Sequence, residues 1–270
     1  MPHAVANRQR LHYLRRGSGE PLLLIQGLSG NHLHWGERFL ANLEPVFETI
    51  AYDHRGIGLS DPSQSGYTIA DLADDADALL EGLGLQSAHV MGVSMGGMVA
   101  QELALRAPRR VRTLTLGCTY AGGAGSVRTD PAVVQRLGQL FMAGRVGEAM
   151  SELIRYNVSA RFGSDPANLE QFRRIAAQLP ASLDVLLAQF QAVGGHDTSG
   201  RLGDITAPTL VVHGSDDRIL PVANAHAIAA RIPGARLEIL DGVGHLFWWE
   251  RPERSARLVR ELAQSAVARQ

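Results

Sequence analysis

Six short apolar runs, each closing on a turn that contains glycine or aspartate, constrain this chain more than any other feature. They are Pro21–Ile25, Thr49–Tyr52, Ala88–Val93, Val111–Leu116, Thr209–His213 and Arg236–Leu240. A strand apolar on both sides needs cover on both faces, and a parallel sheet between helical layers supplies it. Segments at helical spacing alternate with these runs. Ile69 to Leu83 carries apolar residues on one face and aspartates on the other, opened by a Thr68/Asp71 capping pair. Met95 to Arg106 follows directly on the third run, and Val222 to Arg231 and Pro252 to Ala266 complete the set. Pro252 suits a helix start. His3 to Arg16 reads as two short strands around Asn7-Arg8. The alternation predicts an α/β fold with a mostly parallel sheet flanked by helices.

The stretch 121–200 has a different texture. No strand signal appears there, and helix-like pieces run over Pro131–Phe141, Val146–Tyr156, Asn168–Gln178 and Ser182–Val193. It reads as a helical cap inserted between the fourth and fifth runs. Residues 1–120 and 201–270 then form the core, and 121–200 the cap.

Composition removes whole chemistries. All 26 basic residues are arginine, so Schiff-base enzymes and Walker-type nucleotide binders, which need a lysine, are excluded. Against 27 acidic residues the formal charge is −1, which leaves no electrostatic footprint for nucleic acid or an anionic membrane. Cys118 stands alone, so no internal disulfide forms. The first 20 residues are polar and arginine-rich, without the apolar core of a signal peptide. The expectation is a cytoplasmic protein acting on a small molecule without cofactor or metal. A homo-oligomer is left open.

The residues that carry chemistry begin with Gly92-Val93-Ser94-Met95-Gly96. This G-x-S-x-G follows an apolar strand and opens a helix, as a nucleophile elbow requires. Its glycines permit a tight turn that lifts the Ser94 hydroxyl clear of the sheet. The N–H of Met95, at the helix N-terminus, is then free to meet a developing oxyanion.

A serine needs a base, and the base an orienting acid. Among ten histidines, His245 lies in a glycine loop, Gly242-Val-Gly-His245, at a strand's C-terminal end. Active sites of α/β folds gather there. His32 and His34 form an H-x-H pair without a third ligand nearby in sequence. Asp216 and Asp217 compete for the acid, and the G-x-x-D-x-x-x-P spacing from Gly214 to Pro221 favours Asp217. The turn after the preceding strand, Gly117-Cys-Thr-Tyr120, offers no carboxylate. The loop after the first core strand, Gln26-Gly-Leu-Ser-Gly30, should supply a second oxyanion donor, the N–H of Leu28.

With these segments in hand, the chain resembles the α/β-hydrolases over nearly its whole length. The resemblance rests on Leu24–Leu28, on Asp53-His-Arg-Gly-Ile-Gly-Leu-Ser60, on Gly92–Gly96, on His213–Asp217 and on Gly244-His245. Within that family it looks most like small esterases, enol-lactonases and cofactor-free haloperoxidases. Gln26 departs from the usual His-Gly pair, which touches loop geometry more than mechanism. Ser94 replaces the aspartate nucleophile of dehalogenases and epoxide hydrolases, and Met95 the tryptophan of iminopeptidase-like members. The resemblance implies acyl transfer to water on a neutral, fairly hydrophobic ester or lactone. Trp35, Tyr120, Phe141, Met142, Phe190, Leu220 and Leu246 are the expected pocket walls. A perhydrolase side activity, carbon–carbon bond hydrolysis, transfer to another acceptor, and a slow ligand sensor remain rivals, because fold does not settle function.

Overall fold

A computed structural model describes residues 2–63 and 66–267. Its strands are β1 (His3–Ala6), β2 (Gln9–Gly17), β3 (Glu20–Ile25), β4 (Phe47–Tyr52), β5 (Ala88–Val93), β6 (Val111–Gly117), β7 (Thr209–Gly214) and β8 (Arg236–Leu240). They form one sheet in the order β1-β2-β4-β3-β5-β6-β7-β8. The hairpin β1–β2 and the β2–β4 pair are antiparallel, and every other pair is parallel. All six runs are strands, and the Asn7-Arg8 turn joins the two N-terminal ones with both residues at positive φ.

The helices of the core are α1 (Glu37–Leu43), α2 (Ile69–Gly82) and α3 (Met95–Arg106). Between β6 and β7 lie α4 (Pro131–Met142), α5 (Val146–Tyr156), α6 (Ala160–Gly163), α7 (Pro166–Ala176) and α8 (Leu183–Gly194). The chain closes with α9 (Ala223–Ala229), α10 (Phe247–Glu250) and α11 (Pro252–Val267). Helix α2 starts on the Thr68/Asp71 capping box, in which each side chain bonds the other residue's backbone N–H. An antiparallel bridge between Gly122 and Asp197 ties the ends of the intervening helical segment. Helices α1, α6 and α10 are seven, four and four residues long, too short for a periodicity signal.

Two apolar layers explain the stability of the sheet. Leu23, Ile25, Val90, Leu114 and Val211 face the layer under α2 and α3. Their neighbours Leu22, Leu24, Met91, Val93 and Val212 face the opposite layer, with Phe247 and Val259. This alternation is the two-residue period of a strand. Truncating one such leucine to alanine costs about 2–5 kcal/mol. Among the described residues no helix is long and apolar enough to cross a membrane.

Candidate active site

The β5–α3 junction is built by close approach. A Cβ on Gly92 would lie 2.1 Å from the carbonyl oxygen of Gly96, and one on Gly96 would lie 2.1 Å from that of Ile25. Only glycine fits at either place. Between them Ser94 adopts φ 55° and ψ −122°, a conformation disfavoured for a residue with a side chain. The turn is held from several sides: Ser94 N donates to Gly117 O at 2.9 Å, and Thr119 Oγ1 donates to Ser94 O at 2.7 Å. The Ser94 side chain is left partly exposed.

The loop after β3 lies against this serine. A Cβ on Gly27 would stand 3.0 Å from Ser94 Cβ and 3.5 Å from its Oγ. Gly27 N donates to Gln26 Oε1 at 3.1 Å, Ser29 N to Gln189 Oε1 at 2.7 Å, and Gly30 N to Gly27 O at 3.1 Å. Among the described residues the N–H groups of Leu28 and Met95 have no acceptor. Met95 follows Ser94 in the chain, and Leu28 follows Gly27, the residue that lies against Ser94.

His245 and Asp217 come together from the ends of β8 and β7. His245 Nδ1 lies 2.7 Å from Asp217 Oδ2, with both side chains buried. A nitrogen facing a carboxylate carries the proton, so the Nδ1–H tautomer leaves Nε2 as the ring's acceptor nitrogen. Asp217 is anchored further: Oδ1 accepts from Ile219 N at 2.8 Å and Leu220 N at 2.9 Å. His213 Nε2 is 3.0 Å from Asp217 Oδ2 and 2.8 Å from Leu220 O, so its N–H is shared between two acceptors. Burial opposes ionisation of Asp217, but His245 and His213 outweigh it and hold the carboxyl well below the usual carboxylate range. Asp216 is exposed, in a turn with Ser215.

Cys118 links the two halves. It follows β6, between the serine strand and the acid strand, and its sulfur lies within 4.8 Å of Asp217 and His245 ligand atoms. Burial, then Asp217, pushes its thiol up, while a backbone hydrogen bond from Ser94 works the other way. A protonated thiol is a poor metal ligand and a poor nucleophile.

A second group of potential metal ligands, His12, His32 and Asp53, is also buried. Asp53 already accepts from His32 N at 2.7 Å and Leu59 N at 3.0 Å, with His32 Nδ1 2.9 Å from Oδ1. This makes the Asp53–Ser60 segment a folded turn. The H-x-H pair does not converge: His34 Nδ1 instead accepts from Asn31 N at 3.1 Å. Burial lowers His34 to about 4.

The expected wall residues divide. Tyr120, Leu220 and Leu246 are buried next to the machinery. Leu220 binds Asp217 through its N–H, and Leu246 N donates to Asn157 O at 2.9 Å. The Tyr120 hydroxyl reaches the cap at Val193 O, 3.0 Å away. Trp35 is a correction: it is fully buried in the core against Phe39 and Trp248, because its large apolar ring packs there. Met142 and Phe190 are corrections as well, being 92% and 60% exposed on outward faces of α4 and α8. The Phe141 side chain lies outside the described residues.

Two residues at the site carry no sequence motif. Gln189 comes from α8, 160 positions beyond Ser29. Glu250, buried in α10, accepts from Gly244 N at 2.9 Å and from Ser159 N at 2.8 Å, tying the histidine loop to the α5–α6 connection. Only the tertiary fold brings these partners together.

An eight-stranded, mostly parallel sheet with a strained serine at its centre and an Asp–His pair at its C-terminal edge defines a class of enzyme. The family described as "alpha/beta hydrolase fold" matches residues 20–252, and the chain belongs to that family. It is 31% identical over 92% of its length, and 92% of the relative's, to "Putative carbamate hydrolase RutD" of Azorhizobium caulinodans. It is 33% identical to 2-hydroxymuconate semialdehyde hydrolase of Pseudomonas putida, covering 98% of this chain and 94% of that one. Among solved structures it is similar to Est816, described as an N-acyl homoserine lactone degrading enzyme, with a TM-score of 0.80 and 32% identity. That match covers 96% of this chain and 99% of the other.

Proposed function

We infer that this chain is a serine hydrolase that cleaves neutral, fairly hydrophobic carboxylic esters or lactones through an acyl-enzyme. The observation that carries the reading is the 2.7 Å bond from His245 to the buried, ionised Asp217, on the same sheet edge as the strained Ser94. In this mechanism His245 Nε2 takes the hydroxyl proton as Ser94 Oγ attacks the carbonyl carbon. The oxyanion is met by the N–H groups of Leu28 and Met95, each worth roughly 2.7–4 kcal/mol in the transition state. His245 then passes the proton to the leaving oxygen, the C–O bond breaks, and Ser94 is acylated. Water, deprotonated by His245, repeats the attack and releases the acid. Asp217 stabilises the imidazolium throughout and stays ionised.

Similarity to Est816 favours the lactone branch. The apolar neighbours Leu28, Leu220 and Leu246 favour a neutral acyl group. A second reading, carbon–carbon bond hydrolysis by the same residues, is favoured by the 33% identity to the semialdehyde hydrolase. Turnover on p-nitrophenyl esters, acyl lactones, a phenyl carbamate and a vinylogous 1,5-diketone separates them. The ester–lactone reading expects the first two to exceed the others, and Ser94→Ala to abolish turnover. Faster cleavage of the diketone favours the second reading. Wild-type rates in Ser94→Ala contradict both.

A further inference from the structure

We propose that Gln189, on cap helix α8, is a positioning residue that sets the direction of the Leu28 N–H. The inference rests on the reading of that N–H as an oxyanion donor. Two peptide units meet at Leu28. The first contains Gly27 C=O and Leu28 N–H, and its oxygen is held by Gly30 N at 3.1 Å. The second contains Leu28 C=O and Ser29 N–H, and it is held by Gln189 Oε1 at 2.7 Å. With both units pinned, the Leu28 N–H has one direction.

Ser29 shows why the second bond matters. Its φ is 62°, in the left-handed region that a serine seldom adopts unaided. Its N–H finds its acceptor in a side chain from another layer of the protein. Without Gln189, Ser29 can relax to an ordinary conformation, which turns the Leu28–Ser29 peptide and, through the Leu28 torsions, pulls on the Gly30 N–Gly27 O bond that orients the Leu28 N–H.

Gln189 is also odd as a packing residue. It is fully buried; its Nε2 makes no hydrogen bond of ordinary length, and the polar group near it is the Tyr67 hydroxyl, likewise unpaired. A buried, unpaired amide nitrogen destabilises, so stability alone gives little reason for an amide here. The useful atom is the oxygen, and the oxygen serves the loop. Helix α8 is itself seated on the core: Ala188 packs against the cluster under α3, and Val193 O accepts the Tyr120 hydroxyl. The cap thus reaches the oxyanion loop through the Gln189 side chain, while at the loop's end Asn31 Nδ2 donates to Leu179 O at 3.2 Å.

Gln189→Met keeps the volume and removes both amide heteroatoms, the acceptor Oε1 and the Nε2. Replacing the unpaired Nε2 offsets the loss of the Ser29 bond, so the melting temperature should stay within about 2 °C of wild type. On p-nitrophenyl butyrate, kcat should fall about 10–100-fold, below the loss seen when an oxyanion donor is deleted outright. KM should change by less than about threefold, because the contact matters in the transition state. Affinity for a trifluoromethyl ketone, whose tetrahedral adduct carries the oxyanion, should fall with kcat. An unchanged kcat and ketone affinity overturns the proposal, as does a rise in KM alone. Ser94→Ala is run in parallel. If it keeps wild-type turnover, the serine reading itself fails and the proposal with it. If it is inactive and Gln189→Met is not impaired, only the proposal fails. Should the Met variant not fold by circular dichroism, Gln189→Ala is read by the same kcat and ketone affinity.

Discussion

His245 Nδ1 and Asp217 Oδ2 stand 2.7 Å apart at the ends of adjacent strands, β8 and β7. The pair decides which ring nitrogen holds the proton. Asp217→Asn keeps the volume and one carbonyl oxygen, which can still serve Ile219 and Leu220. Its amide presents the wrong partner to the imidazole, so kcat should fall by about 10⁴-fold with the fold intact. Asp216→Asn, on an exposed turn, should stay within about twofold of wild type. Steady-state kinetics on one ester checks both. Equal losses in the two variants contradict the assignment of the acid.

Backbone clearance at the elbow gives a prediction about folding. In Gly96→Ala the new methyl meets the Ile25 carbonyl at 2.1 Å, and the backbone cannot yield as a flexible side chain could. The expected destabilisation is about 3 kcal/mol or more, or loss of soluble protein. Gly138→Ala, on a helix with nothing within 4 Å, should be neutral or slightly stabilising. Urea midpoints of the two variants test the contrast.

These two sites show what could be read in the sequence and what could not. Ser94, Asp217 and His245 each sit in a local signature whose spacing reports a turn at a strand end. The strands announce themselves by apolar runs, and α2 by its capping pair. Gln189 and Glu250 have no such mark, because their partners lie 160 and 91 residues away. Trp35 departs from the expected wall for a related reason: an aromatic near a candidate site loop can face the ligand or the core, and only packing decides. Residue type alone likewise cannot say which face of a cap helix turns outward, as Met142 and Phe190 show.

The buried ion pair between Arg55 and Asp75 braces the turn after β4. Arg55 Nε donates to Asp75 Oδ2 at 2.7 Å, and its guanidinium lies 5.6 Å over the Tyr67 ring. Removing one partner leaves the other charge buried, so Arg55→Leu or Asp75→Leu alone should cost about 3–5 kcal/mol. The double variant Arg55→Leu/Asp75→Leu should lose less than the two single changes combined. Chemical denaturation of the four proteins checks the coupling, and strict additivity contradicts it.

Acid should destabilise the fold in two stages. Burial lowers His34 and His196 to about 4 each, against an ordinary value of 6.5. Between those limits the unfolded chain binds protons that the folded chain refuses, so stability falls as pH drops from 6.5 towards 4. For the buried His196 the loss is on the order of 3 kcal/mol, and it is less for the partly exposed His34. Asp217 adds a second stage. Its depressed carboxyl stabilises the fold above 3.8, and that contribution fades as pH falls further. His196→Phe, which can keep the edge contact with Tyr120, should flatten the first stage without removing it. Urea midpoints from pH 7 to pH 3 measure the slope.

The most direct measurement is covalent capture of the nucleophile. A fluorophosphonate ester needs an activated serine and an oxyanion hole, and it leaves a stable adduct. The prediction is one adduct per chain, mapped by peptide mass spectrometry to Ser94 and lost in Ser94→Ala, with labelling slowed at least about a hundredfold in Asp217→Asn. Labelling of another residue, or Ser94 labelling that ignores Asp217, would contradict the triad.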